Sequence, residues 1–145
     1  MRLVKLDALL LQIAIAAERD PVVAEFASRE SYPQTALSGP AAYAVIDGGT
    51  LVAAGGLILH WKGRAEAWSL VSRYARPRQL VQAIRMSRVV LDEVQRDGAF
   101  KRIEMLVRCD CARSFAKALG FAEEGYLKAW DPKQRDMRLF ARIAA

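Results

Sequence analysis

The stretch from Lys101 to Trp130, KRIEMLVRCDCARSFAKALGFAEEGYLKAW, constrains the fold most, because its hydrophobic period changes twice within it. Ile103, Met105 and Val107 alternate with Arg102, Glu104 and Arg108, the period-2 signature of a strand with two unlike faces. Asp110 then stands as an N-cap, and Phe115, Ala118 and Leu119 give one apolar face at helical spacing. Gly120 sits where a left-handed C-terminal cap is required. Phe121 returns the chain to the core and opens a second strand. Strand, helix and strand in this order are expected of an α/β sheet.

The rest of the chain supplies the other layers. Arg2 to Leu6 predicts a short strand, followed by a helix within Leu9 to Glu18. Asp20-Pro21 opens a second helix running to about Arg29, with aspartate as cap and proline in the first turn. Pro33, Gly39 and Pro40 predict a loop from Ser31 to Pro40. Tyr43 to Ile46 and Thr50 to His60 form a hairpin about Asp47-Gly48-Gly49. Gly55-Gly56 inside it predicts a bulge or a close backbone approach. After Lys62-Gly63 a strand runs from about Arg64 to Ser72. The longest helix spans Pro77 to about Arg96, its core stripe being Leu80, Ile84, Ser87, Leu91 and Val94 flanked by Val81 and Val90. Gly98 ends it. Asp131-Pro132 begins a turn, and Met137 to Ile143 makes the last strand. With no repeat, low-complexity tract or linker, residues 1–145 read as one domain.

Composition narrows the class. With 53% hydrophobic and 26% charged residues over 145 positions, the chain can close a core and is not disordered. The net charge of +6 is uneven: residues 1–60 hold 4 Lys/Arg against 6 Asp/Glu, and residues 61–145 hold 18 against 10. A positive second part attracts polyanions, whether a nucleotide cofactor or nucleic acid, unless those charges form an ordinary solvated surface. Cys109 and Cys111 are too few for a disulfide framework and too close for a relaxed bridge, which fits a reducing compartment. Arg2 and Lys5 before the apolar run Ala8 to Ala17 resemble a secretion signal, but Asp7 and Gln12 interrupt it, so domain structure is the reading. No segment has the length of a membrane span.

The strand-helix-Gly-Phe-strand unit resembles the C-terminal half of the GNAT superfamily of acyl-CoA-dependent N-acetyltransferases, whose helix commonly ends in Leu-Gly-Phe at this point. The hairpin, the following strand and the long helix come in that family's order, so the resemblance covers roughly Ala41 to Ile143. It implies a GNAT-like α/β fold: a mixed sheet of six or seven strands flanked by helices, splayed near its middle to admit acetyl-CoA. It also implies that the cofactor pyrophosphate lies against the turn Ser72-Arg73-Tyr74-Ala75-Arg76-Pro77-Arg78-Gln79. The family's pattern there is Arg or Gln, two residues, Gly, one residue, then Gly or Ala, and this turn has no glycine. Arg73, Arg76 and Arg78 instead gather fixed positive charge at the positive end of a helix. Val71, Gln79 and Cys109 complete the cofactor-binding set that the resemblance implies, Cys109 standing where the family often has asparagine.

Direct acyl transfer needs a base for the amine and an acid for the leaving thiolate. Glu66, between the small residues Ala65 and Ala67 on the strand after the hairpin, is the candidate base, the alternative being a surface-facing strand residue. The family's usual acid is a tyrosine four residues before the glycine of Leu-Gly-Phe, a position held here by Ala116. Tyr126 or Tyr74 would have to substitute, although each also reads as a packing residue. His60 is the only histidine, too isolated for a zinc site. Trp61, Trp68 and Trp130 read as packing residues or as the lining of an acceptor groove. Trp61-Lys62-Gly63-Arg64-Ala65-Glu66-Ala67-Trp68 resembles a segment in GNAT-like proteins of tailed-phage genomes, some named after internal virion proteins.

Two functions are expected from this reading. One is acetyl transfer from acetyl-CoA to an amine, with Glu66 as base and Tyr126 as acid. The other is a catalytically degenerate, phage-associated protein that serves in a virion or binds protein or nucleic acid through its basic part. The first places the protein in a bacterial cytoplasm, the second in a virion. Self-association as a homodimer is a family expectation.

Overall fold

The chain reverses at Asp47-Gly48-Gly49, where Gly48 and Gly49 take φ of 55° and 80°, the left-handed values that a two-residue hairpin turn demands. The computed structural model describes residues 1–29 and 31–145. Their elements are β1 (Arg2–Lys5), α1 (Ala8–Ala17), α2 (Pro21–Ala27), α3 (Tyr32–Ser38), β2 (Ala41–Asp47), β3 (Thr50–Trp61), β4 (Gly63–Val71), α4 (Pro77–Arg96), β5 (Phe100–Val107), α5 (Asp110–Ala118), β6 (Ala122–Leu127) and β7 (Met137–Ile143). The seven strands form one mixed sheet in the order β1-β2-β3-β4-β5-β7-β6. The chain resolves into two compact units, one of residues 1–59 with 67–86 and the other of residues 60–66 with 87–145.

In the first unit β1, β2 and β3 pair antiparallel in sequence order. The apolar run near the N-terminus is core-forming: Asp7 Oδ1 accepts the Leu10 N–H at 2.8 Å to start α1, and Leu11 and Ala14 are fully buried. Burying a leucine contributes roughly 1.5–3 kcal/mol. Asp20 Oδ1 accepts the Val22 N–H at 2.9 Å and starts α2 as expected, with Pro21 beside it. The predicted loop from Ser31 to Pro40 is instead the helix α3. Pro33 falls in its first turn, where no backbone N–H is needed, and Ala36 is completely buried with Leu37 and Tyr32 packed on the same core. Proline punctuates here by starting a helix.

The bulge in the hairpin falls between Val45 and Ile46 on β2, while Gly55 and Gly56 pair regularly with Tyr43 and Ala42. Close approach is what Gly56 provides, since a Cβ there would stand 2.3 Å from the Ala41 carbonyl oxygen. Gly39, the residue after α3, is tighter still: an added Cβ would lie 1.8 Å from the Leu57 carbonyl oxygen, which belongs to rigid β3 backbone. Gly39→Ala is therefore expected to cost about 3 kcal/mol or more, read as a lower urea midpoint at unchanged slope.

In the second unit the first residues of β4 pair in parallel with β5, β5 pairs antiparallel with β7, and β7 with β6. Helix α5 ends as the sequence predicts. The Phe121 N–H reaches the Ala116 carbonyl at 3.0 Å and the Gly120 N–H reaches the Lys117 carbonyl at 2.9 Å, with Gly120 at φ 89°. Its start is displaced by one residue: Cys109 is the cap and Asp110 the first helical residue, with no side-chain cap bond. Its buried face carries Ala116 and Leu119, and Ala118 is exposed. Likewise Val81 of α4 is exposed, and Ala83 and Gln79 are the buried positions of its first turns. Among the described residues no helix is long and apolar enough to cross a membrane.

Candidate active site

The candidate residues fall in both units. In the first, β4 ends at Val71 and the turn to α4 follows, and nearly every polar group of that junction has a partner. The Val71 N–H donates to Glu18 Oε2 at 2.6 Å, and the Val71 carbonyl accepts the Arg19 N–H at 2.9 Å. Both backbone groups of Val71 are thus taken by the residues that follow α1. The other Glu18 oxygen accepts the Asp20 N–H at 2.9 Å. Glu18 is 6% exposed, and burial raises its pKa above the ordinary carboxylate value despite these bonds. Arg73 turns back to the C-terminal end of α1, donating its N–H to the Ala17 carbonyl at 2.8 Å and its guanidinium to the Ala16 carbonyl at 2.5 Å. That arrangement satisfies two orphan carbonyls of the helix end and removes Arg73 from the set of cations facing outward.

Gln79 is also structural. Its Oε1 accepts the Arg76 N–H at 2.9 Å and its Nε2 donates to Asp47 Oδ2 at 2.9 Å. The first bond is the return half of a capping box, with Pro77 in the first helical position and glutamine at the third. Asp47 is held below the usual carboxylate range, first by the Gln79 bond and then by the N-terminal amine. What the turn presents outward is Arg76 and Arg78, both exposed, above a helix start whose Arg78 and Gln79 N–H groups have no intrahelical acceptor. Tyr74 is exposed beside Arg73. Trp68 is core rather than groove, packed edge-on against Tyr32 at 5.9 Å.

In the second unit Glu66 lies opposite Glu104, the last pair of the β4–β5 ladder, although β4 continues to Val71 and β5 to Val107. Glu66 Oε2 meets His60 Nε2 at 2.9 Å across the β3–β4 hairpin. Its other oxygen has no partner among the described residues. Trp61 is exposed on the same hairpin, with the Arg64 guanidinium 4.2 Å from its ring centre.

Glu104, expected on the polar face of β5, is buried because two arginines close over it. Arg64 reaches it at 2.5 Å and Arg102 at 2.6 Å, and Arg102 also pairs with Glu124 at 2.5 Å. Burial alone would raise Glu104, but the two guanidinium groups outweigh it and lower its pKa. Arg113 and Arg138 share Glu123, Arg135 holds Asp131, and Arg142 holds Asp92. These pairs hold the arginines in place locally but leave the net positive charge of residues 61–145 unchanged.

Tyr126 is half exposed on β6 and donates its hydroxyl to Asp136 at 2.5 Å, a bond that raises its pKa. Register places it away from Glu66: Glu104 stands opposite Ala141 and Ala122, whereas Tyr126 stands opposite Arg138 and Val107. Three residues along and three strands across amount to on the order of 15 Å. Tyr126 and Glu66 cannot hold one small acceptor between them. Cys109 caps α5 beside Cys111. Trp130 is exposed after β6. Sequence reasoning also missed the Glu18 clasp on Val71 and the His60–Glu66 pair. The second had a partial signal, since a turn at Lys62-Gly63 folds the segment holding Glu66 back beside the one holding His60.

No family profile and no curated protein matches the chain. Solved structures do. An aminoglycoside 6'-acetyltransferase type Ii superposes with a TM-score of 0.74 at 19% identity, covering 100% of this chain and 98% of that one. The aminoglycoside 6'-N-acetyltransferase from Enterococcus faecium gives a TM-score of 0.75 at 17% identity, with 100% and 98% covered. A point variant of the spermidine N-acetyltransferase from Vibrio cholerae gives 0.70 at 14% identity, with 99% and 95% covered. The chain has the GNAT acetyltransferase fold.

Proposed function

We propose that the protein transfers an acetyl group from acetyl-CoA to an amine. The observation that carries the proposal is Glu66, a carboxylate at the last rung of the β4–β5 ladder, braced by His60 through one oxygen and open at the other. A base needs that combination of fixed position and free acceptor. The full-length likeness to acetyltransferase structures supports the reading through the fold.

The outward groups of the β4–α4 turn fit an anionic carrier. Arg76 and Arg78 would hold its phosphates through their guanidinium groups, helped by the helix start, in place of the close backbone contact that glycines allow. Val71, Arg73 and Gln79 are left out of this set because their groups are engaged within the fold. Bound acetyl-CoA supplies the acetyl group as an activated thioester. Glu66 takes the proton that the amine releases as its nitrogen bonds to the acetyl carbon, and His60 keeps the carboxylate aimed. Tyr126 is too far along the sheet to assist there. With an ordinary thiol pKa of about 8.5, the carrier's thiolate would be a good enough leaving group that the site need not supply a strong acid.

Calorimetric titration with acetyl-CoA tests the proposal. Binding should weaken as salt rises, and Arg78→Glu should lower affinity about tenfold or more, the worth of a charge-assisted phosphate bond. Absence of heat at millimolar acetyl-CoA would contradict the proposal and leave a binding or virion role instead.

A further inference from the structure

Cys109 and Cys111 stand at the junction of β5 and α5 with their sulfur atoms 2.6 Å apart, both as free thiols. A disulfide bond is about 2.05 Å long, so the sulfur atoms stand roughly 0.6 Å beyond bonding distance, and a bridge across one intervening residue is strained and therefore easily reduced. We infer that Cys109 and Cys111 form a vicinal dithiol that closes reversibly by exchange with low-molecular-weight disulfides, making the β5–α5 junction a redox modification site.

Neither sulfur has a competing structural role. Cys109 is the helix cap, in extended conformation at φ −120° and ψ 165°, and its side chain makes no capping bond. The first α5 bond, from the Arg113 N–H to the Cys109 carbonyl at 3.1 Å, uses backbone alone. Cys111 is exposed and within reach of a soluble reagent, and Cys109 is half-buried behind it. The bond to Cys109, ahead of burial, raises Cys111 above the ordinary thiol value, so the pair gives up one proton more readily than two. One attacking thiolate with a protonated neighbour is the state that thiol exchange requires.

The reaction balances without further reagents. One cysteine thiolate attacks a disulfide R–S–S–R, forming a mixed disulfide and releasing one R–SH. The second cysteine attacks the mixed disulfide, forms the Cys109–Cys111 bond and releases the second R–SH. The two thiol hydrogens leave on the two R–SH molecules, the cysteines are oxidised and the reagent is reduced. A ring closed by three residues removes little chain entropy, so the bridge adds little stability. Exposed bridges that stabilise little are the readily reduced ones, which makes this one reversible. Closure ties the extended cap residue to the first turn of α5 and fixes the angle at which β5 enters the helix.

The test is independent of acetyl transfer. The intact protein is treated with glutathione disulfide, alkylated and weighed by mass spectrometry. The wild type should weigh two hydrogens less than its reduced form, carry neither glutathione nor alkyl group, and reopen with reduced glutathione. Cys109→Ser and Cys111→Ser should each retain one glutathione, because the resolving sulfur is gone. A wild type that retains glutathione, or that is alkylated at both cysteines after the treatment, would overturn the inference.

Discussion

Glu66→Gln is expected to lower kcat for amine acetylation about a hundredfold or more while leaving the acetyl-CoA affinity unchanged. The substitution keeps size and shape and can still bond His60, so the hairpin geometry survives. What disappears is the capacity to take a proton, worth about 10²–10⁴ in rate for a positioned base. Because the phosphates are assigned to Arg76 and Arg78 on another segment, the binding isotherm should be that of the wild type. A fall in kcat and kcat/KM together, with Kd constant, is the signature of a group that acts in the transition state. An unaltered rate would remove Glu66 from the mechanism.

Glu18→Ala is expected to be the most destabilising change at the β4–α4 junction apart from backbone clashes, at about 2–3 kcal/mol near neutral pH. It removes a buried carboxylate that accepts two backbone N–H groups and leaves the partly buried Val71 donor without its partner. The pH dependence has a defined sign. Burial raises the folded pKa of Glu18 above its unfolded value. Such a group gives stability that is complete below the unfolded carboxylate range and is lost as pH rises through the folded value. The stability gap between wild type and Glu18→Ala, measured by urea unfolding, should therefore narrow as pH is raised from the carboxylate range toward neutrality. A gap that widens over that interval would show that the bonds, and not burial, dominate.

The parts of this architecture legible in the sequence were those written in local chemistry. The hairpin glycines, the Asp20-Pro21 start and the Leu119-Gly120-Phe121 stop each encode a backbone conformation that few other residues adopt, and each falls where it was placed. Tertiary decisions were not legible. Whether Pro33 ends a segment or starts α3 depends on Ala36 finding a core to enter. Whether Glu104 faces water depends on Arg64, 40 residues earlier, arriving beside it.

The candidate site divides along the same line. Glu66 and the arginine turn could be picked out by residue type and order. The engagement of Arg73 with α1, of Gln79 with Asp47 and of Val71 with Glu18 could not, since their partners lie 32 to 57 positions away. Tyr126 was a substitute chosen because Ala116 lacks a hydroxyl, and only strand register shows how far β6 carries it from Glu66.

The most direct measurement is mass-spectrometric detection of N-acetylated product from a panel of primary amines incubated with acetyl-CoA and the purified protein. The account predicts product that depends on both substrates and on enzyme concentration, reduced about a hundredfold by Glu66→Gln. Acetyl-CoA that binds yet is never consumed, or product formed equally well by the wild type and Glu66→Gln, would contradict it.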